Sequence, residues 1–135
     1  MAKFLNQYTI FLNKARTDFI AAKLLYEGFI AGNQELDLEV ICYHLQQCAE
    51  KSFKAILSIR RILFPRVHDL EVLFNLVAEN GIGLTFNKDL LVELSDFATE
   101  GRYAVIHDDI IQTDLYFVEV GKLLQFAEEF VSNQI

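Results

Sequence analysis

The sequence predicts an all-α fold, an antiparallel four-helix up-and-down bundle with an additional short helix, and three observations carry that expectation. The first is composition: 12 Phe and 5 Tyr stand against 6 Gly and 1 Pro, too little punctuation for the many turns of a β-sandwich or barrel. The second is period, because apolar residues recur at steps of three and four along most of the chain, as on one face of a helix. The third is size. With 135 residues, 53% of them hydrophobic and 23% charged, the chain can bury one substantial core and is not a disordered polymer. Residues 1–135 are therefore read as a single helical domain.

Each element has its own signal. Tyr8, Leu12, Ala15, Phe19, Ala22, Tyr26 and Phe29 form the wall of a first helix, and Gly32-Asn33 offers its stop. A second long helix is expected from about Asp37 to Leu63, with Ile41, Leu45, Cys48, Ala55, Ile59 and Ile62 on one face and only Ser52 interrupting it. Glu50 and Lys54 add a favourable i,i+4 pair. Pro65 ends that helix, since the residue before a proline is pushed away from the α region. Asp69 then stands in the first turn of a third helix carrying Leu70, Leu73, Leu76 and Val77, where a carboxylate complements the helix dipole. Gly81 and Gly83 break it. Asn87 is the expected N-cap of a fourth helix built on Leu90, Leu91, Leu94, Phe97 and Ala98. Asp108 is the expected N-cap of a fifth, with Phe117, Val120, Leu124, Ala127 and Val131 on one face.

The charge balance narrows the function classes. Twelve basic and 19 acidic residues give a net charge of −7, which argues against constitutive coating of nucleic acid by phosphate neutralisation. Cys42 and Cys48 are six residues apart, about 600° of rotation along one helix, so they cannot bridge there and fit a reducing cytoplasm. No targeting segment and no run of about 18 apolar residues is present, so no membrane is expected. The mean hydropathy of +0.24 then points to a subunit interface as the outlet for apolar surface. No phosphate-loop, dinucleotide, zincin or nucleophile-elbow motif occurs, and no Glu-x-x-His pair. With three histidines, His44, His68 and His107, neither a metal site nor another cofactor is expected.

The residues able to carry chemistry lie between the fourth and fifth helices, in Gly101-Arg102-Tyr103-Ala104-Val105-Ile106-His107-Asp108-Asp109. Arg102 and His107 stand about 140° apart on an unbroken helix. They converge only where the backbone breaks between them or where two copies meet. The pair suits metal-independent cleavage of RNA: an imidazole moves the proton of a 2′-hydroxyl or a leaving 5′-oxygen near neutral pH. A guanidinium holds the scissile phosphate and stabilises the phosphorane charge. Alternatively, both are ordinary neighbours of helix caps, paired with Glu100, Asp108 or Asp109. His44, Gln47, Lys51 and Lys54 form a polar stripe on the second helix that is either a binding site for a nucleotide phosphate or a partner's carboxylates, or a solvated face. Arg60, Arg61 and Arg66 make the one concentrated basic patch, explained by helix-end charge or by a contact to RNA.

The run Cys42-Tyr43-His44-Leu45-Gln46-Gln47-Cys48-Ala49-Glu50-Lys51-Ser52-Phe53-Lys54-Ala55-Ile56-Leu57 closely resembles the second-helix signature of HEPN domains (higher eukaryotes and prokaryotes nucleotide-binding). His68-Asp69-Leu70 resembles that family's opening of the next helix, and Arg102 to His107 fits its Arg-x4–6-His. The likeness extends from about Thr17 to Val131. It implies a helical bundle that forms a homodimer, and one of two activities. One is a metal-independent endoribonuclease of the toxin type, paired with a minimal nucleotidyltransferase antitoxin. The other is a non-catalytic module of such a system that binds nucleotide or partner. Under the first, Arg102 contacts phosphate and His107 transfers protons in a cleft shared by two subunits, with Tyr103, Asp108 and Asp109 in support. Tyr103 departs from the small polar residue that usually follows the arginine in the family's ribonucleases.

Overall fold

The computed structural model describes residues 6–98 and 108–135. Among them are five α-helices and one short 3-10 helix, and no strand: α1 (Gln7–Ile30), α2 (Leu38–Ile59), α3 (Leu70–Glu79), α4 (Lys88–Glu93), the 3-10 turn Leu94–Phe97, and α5 (Ile110–Gln134). The protein is all-α, as the apolar spacing predicts. Its weight rests on three long helices, with α3, α4 and the 3-10 turn packed around α2 and the start of α5.

Cross-helix bonds fix the directions. Ser58 bonds Gln7 and Lys51 bonds Asp18, so α2 runs antiparallel to α1. Tyr26 bonds Asp114 and Arg16 bonds Glu128, so α5 also runs antiparallel to α1 and hence parallel to α2. The N-terminus of α1 and the C-termini of α2 and α5 therefore share one end of the molecule. α2 is the element buried most completely: Leu38, Ile41, Leu45, Cys48, Ala49, Phe53, Ala55, Ile56 and Leu57 are all enclosed. Such enclosure is what makes its apolar set wider than a single stripe.

The helix ends follow local chemistry, with three departures from the expected boundaries. Asp37 caps α2 by accepting from Val40 N at 2.8 Å. Asp69 lies one residue outside α3, not in its first turn, and caps it by accepting from Glu71 N. Asn87 caps α4 as expected. For α5 the cap is Asp109, not Asp108: its Oδ1 accepts from Gln112 N at 2.9 Å and its carbonyl from Thr113. Two adjacent aspartates are equivalent by type, and only backbone phase decides between them. α2 also stops before Pro65. Its last turn closes in a Schellman arrangement, Ile62 N to Leu57 O at 2.9 Å and Arg61 N to Ser58 O at 3.0 Å, with Arg61 left-handed at φ 57°. Gly32, at φ 98°, ends α1 by the same pattern without the strain that a side chain brings there.

Aromatic contacts lock the layers. Phe19 and Tyr26 of α1 meet Phe117 of α5 at ring distances of 6.0 and 4.9 Å, and Phe53 of α2 meets Phe74 of α3 at 6.0 Å. Phe53 is fully buried, so Phe53→Ala is expected to cost about 3–5 kcal/mol of stability by chemical denaturation. Both cysteines are free and buried. Burial raises the Cys42 thiol from its ordinary 9.0 to about 12, against a hydrogen bond with Thr113 that lowers it; burial raises Cys48 as well. Because the folded state holds these protons more tightly, their stabilisation is complete below pH 9.0 and is lost as pH climbs towards 12. Denaturation curves at pH 8 to 11 should show stability falling above pH 9 by up to about 1.4 kcal/mol per unit for each thiol, and a profile visibly flatter in Cys42→Ala.

Candidate functional site

The polar residues of α2 stand at steps of three and four and face two carboxylates, and each carboxylate gathers its own network. Asp18 of α1 accepts from Lys51 Nζ at 2.6 Å through Oδ2 and meets His44 Nδ1 at 3.0 Å through Oδ1. Glu50, whose side chain is only 5% exposed, accepts from Lys54 Nζ at 2.9 Å and meets His68 Nδ1 at 2.8 Å. Gln46 donates from one amide nitrogen to Glu50 at 3.3 Å and to the His68 carbonyl at 2.9 Å, and Gln47 donates to Gln46 at 2.7 Å. The i,i+4 pair expected for Glu50 and Lys54 is present.

These contacts change the reading of His44, Gln47, Lys51 and Lys54. The stripe is not a solvated face. Gln47 is buried, and the side chains of Lys51, Lys54 and His44 are 21%, 12% and 27% exposed. Lys51 and His44 pair with Asp18, Lys54 pairs with Glu50, and Gln47 donates to Gln46, so the charges of the two lysines are compensated within the chain. The stripe has a mechanical role. It pins α1 to α2 through Asp18, and through Glu50 it pins the chain that leads into α3. Asp18 was not legible as part of this set, because it lies 26 residues from His44 and 33 from Lys51. A lone carboxylate set between Ala15 and Ala22, both fully buried, is the only sign of it in the sequence.

The second constellation flanks the segment with Arg102 and His107. Residues 99–107 lie outside the described residues, and with them Arg102, Tyr103 and His107. The helices on either side are well anchored. Glu93 of α4 accepts from Tyr116 Oη at 2.9 Å and from Gln112 Nε2 at 2.7 Å, which ties α4 to the first turns of α5. Burial, together with the Glu93 carboxylate, pushes the Tyr116 hydroxyl up to about 12, so it remains a donor throughout the neutral range. Leu94 and Phe97 are buried immediately before the segment. Asp108 is exposed, and the Asp109 carboxylate is engaged in capping α5. Among the described residues no group of three or more His, Cys, Asp or Glu is placed to hold a metal ion, and no helix is long and apolar enough to cross a membrane.

The family model of the HEPN domain matches residues 8–133. The chain belongs to the HEPN family. No curated protein and no solved structure matches it.

The signature block on α2 thus has a physical role that is independent of any ligand. Removing the carboxylate of Glu50 leaves the Lys54 ammonium, 12% exposed, without its acceptor. Glu50→Ala should therefore cost about 3–5 kcal/mol in denaturant titrations. His68→Ala, with a ring 60% exposed, should cost no more than about 1 kcal/mol.

Proposed function

We propose that this HEPN protein is a metal-independent endoribonuclease of the toxin type, acting as a homodimer and held in check by a minimal nucleotidyltransferase antitoxin. The observation that carries the reading is the Arg102–His107 pair. It falls at the family's Arg-x4–6-His position, within a family match that covers residues 8–133. His107 takes the proton from a 2′-hydroxyl, and the 2′-oxygen attacks the adjacent phosphorus. Arg102 neutralises the charge that grows on the phosphorane oxygens. An imidazolium then delivers a proton to the departing 5′-oxygen, leaving a 2′,3′-cyclic phosphate and a 5′-hydroxyl. Acid and base act in one step, and two copies of His107 across a dimer supply both.

Support for the dimer comes from apolar side chains left outside the core. Ile111, Leu115 and Val118 are 75%, 45% and 54% exposed, and Ile20 and Leu24 of the neighbouring α1 are 57% and 63% exposed. The three on α5 recur at steps of four and three, beginning four residues after His107. Exposed apolar side chains grouped on one helix face in this way suit an interface. The antitoxin partner is inferred from the family alone.

A second reading, a non-catalytic module that binds a partner or a nucleotide, is favoured by Tyr103 at the position after the arginine. One experiment separates the two. In EDTA-containing buffer the wild type should cleave RNA to cyclic-phosphate ends, while Arg102→Ala and His107→Ala should each lose at least about 100-fold in rate. A folded, dimeric wild type that leaves RNA intact would establish the binding module instead. The Leu115→Glu/Val118→Glu variant should sediment as a monomer if the apolar face joins the copies.

A further inference from the structure

Among the described residues, half of the lysines and arginines are matched by a carboxylate. Lys51, Lys54, Lys88, Lys122 and Arg16 each have a carboxylate within 4.0 Å. Of the rest, Lys14 and Lys23 stand singly on α1, and the others cluster on the connection between α2 and α3. It holds Arg60, Arg61 and Arg66, three of the chain's five arginines, all exposed. Among the described residues none of the three has a carboxylate partner. A helix C-terminus accounts for one cation, and α2 already has Arg60 at its C-cap. The other two are left without that explanation.

Arg61 also sits where a side chain is costly. It is the one non-glycine residue with positive φ among those described, at the position of the Schellman closure that glycine fills at the end of α1. Its side chain lines a cavity of about 440 Å³ between the N-terminus of α1 and the C-termini of α2 and α5, with Asn6, Gln7, Tyr8, Ser58 and Gln134 among its other walls. The amides and hydroxyls there are hydrogen-bonding groups suited to phosphate oxygens, and Ile59 and the terminal residue Ile135 complete the lining. A guanidinium beside neutral polar side chains is an arrangement that takes up a phosphate.

We infer that this end of the bundle is a phosphodiester-binding subsite for RNA, with Arg61 contacting a phosphate in the cavity and Arg60 and Arg66 the phosphates on either side. The choice of RNA rests on the ribonuclease reading; the phosphate chemistry does not. α5 spans 25 residues, about 37 Å at 1.5 Å per residue, and its far end is the one that follows His107 in the chain. An RNA reaching from one end to the other needs on the order of ten stacked nucleotides at about 3.4 Å each. The subsite therefore grips substrate remote from the scissile bond, and raises affinity without touching the chemical step.

The test compares two variants of equal net charge by fluorescence anisotropy with a labelled 15-nucleotide RNA. Arg60→Gln/Arg61→Gln removes the subsite, while Lys14→Gln/Lys23→Gln removes two exposed cations of α1. The arginine variant should bind about tenfold more weakly, with a log–log salt slope shallower by about 1.4, which is roughly 0.7 for each lost phosphate contact on a single strand. The lysine variant should change Kd by less than about twofold. Arg60→Gln/Arg66→Gln, which leaves the left-handed residue in place, should reproduce most of the loss and guards against a folding defect at Arg61. Equal weakening by the arginine and lysine variants, or no RNA binding by wild type, overturns the inference. The two proposals fail separately. RNA binding that depends on Arg60 and Arg61 without cleavage leaves the subsite standing and ends the ribonuclease reading. Cleavage that depends on Arg102 and His107 but is indifferent to Arg60 and Arg61 does the reverse.

Discussion

A single carboxylate under α2 governs how this chain is assembled. Glu50 is almost completely enclosed, and a charge in that position is tolerable only when paired and hydrogen-bonded. Lys54 supplies the pairing from the next turn, but Lys54 alone would leave one oxygen unmatched. Gln46 and His68 complete it, and His68 belongs to the chain entering α3. Satisfying one buried group thus requires the α2–α3 connection to return to a fixed place. The Leu70 amide donates to Ser95 Oγ at 2.9 Å, which carries the constraint from α3 to the 3-10 turn before the candidate site. Asp18 plays the corresponding part on the other side of α2, joining α1 to His44 and Lys51.

Much of this was readable from residue order, and the reasons are physical. The 3.6-residue period of α1 and the wide apolar set of α2 identify both helices, because burial along a helix must repeat with the helix. Asn87 was legible as a cap because a short amide before a periodic run has few other uses. The choice of Asp109 over Asp108 was not, since capping depends on a backbone phase that two adjacent identical residues cannot declare. α2 ends at Ile59, short of the expected Leu63, for a related reason. Proline announces where a helix can no longer continue, whereas the actual stop came earlier, from an arginine accepting the left-handed conformation.

The polar stripe of α2 shows a different limit. Spacing puts His44, Gln47, Lys51 and Lys54 on neighbouring positions, but periodicity carries no information about what faces them. The answer lay in Asp18, from another helix, and in Glu50, which reads from sequence as half of a surface ion pair. A family signature invites a ligand-binding interpretation. Here its cations and amides hold elements together, while the arginines clustered after α2 lie outside the signature. For the Arg102–His107 pair the sequence gives identity and spacing, and the structure gives the two anchored helices that it joins.

The antiparallel course of α1 and α5 has a topological corollary. Asn6 and Gln134 line the same cavity, so the first and last helices finish within a few residues' reach of one another. Helices that finish side by side in this way commonly accept rewiring. A short linker could join residue 134 to residue 6, with new ends opened in the exposed turn at Gly32-Asn33, which lies at the opposite pole of α1. Such a permuted chain would keep every helix–helix contact while exchanging which helices are neighbours in sequence.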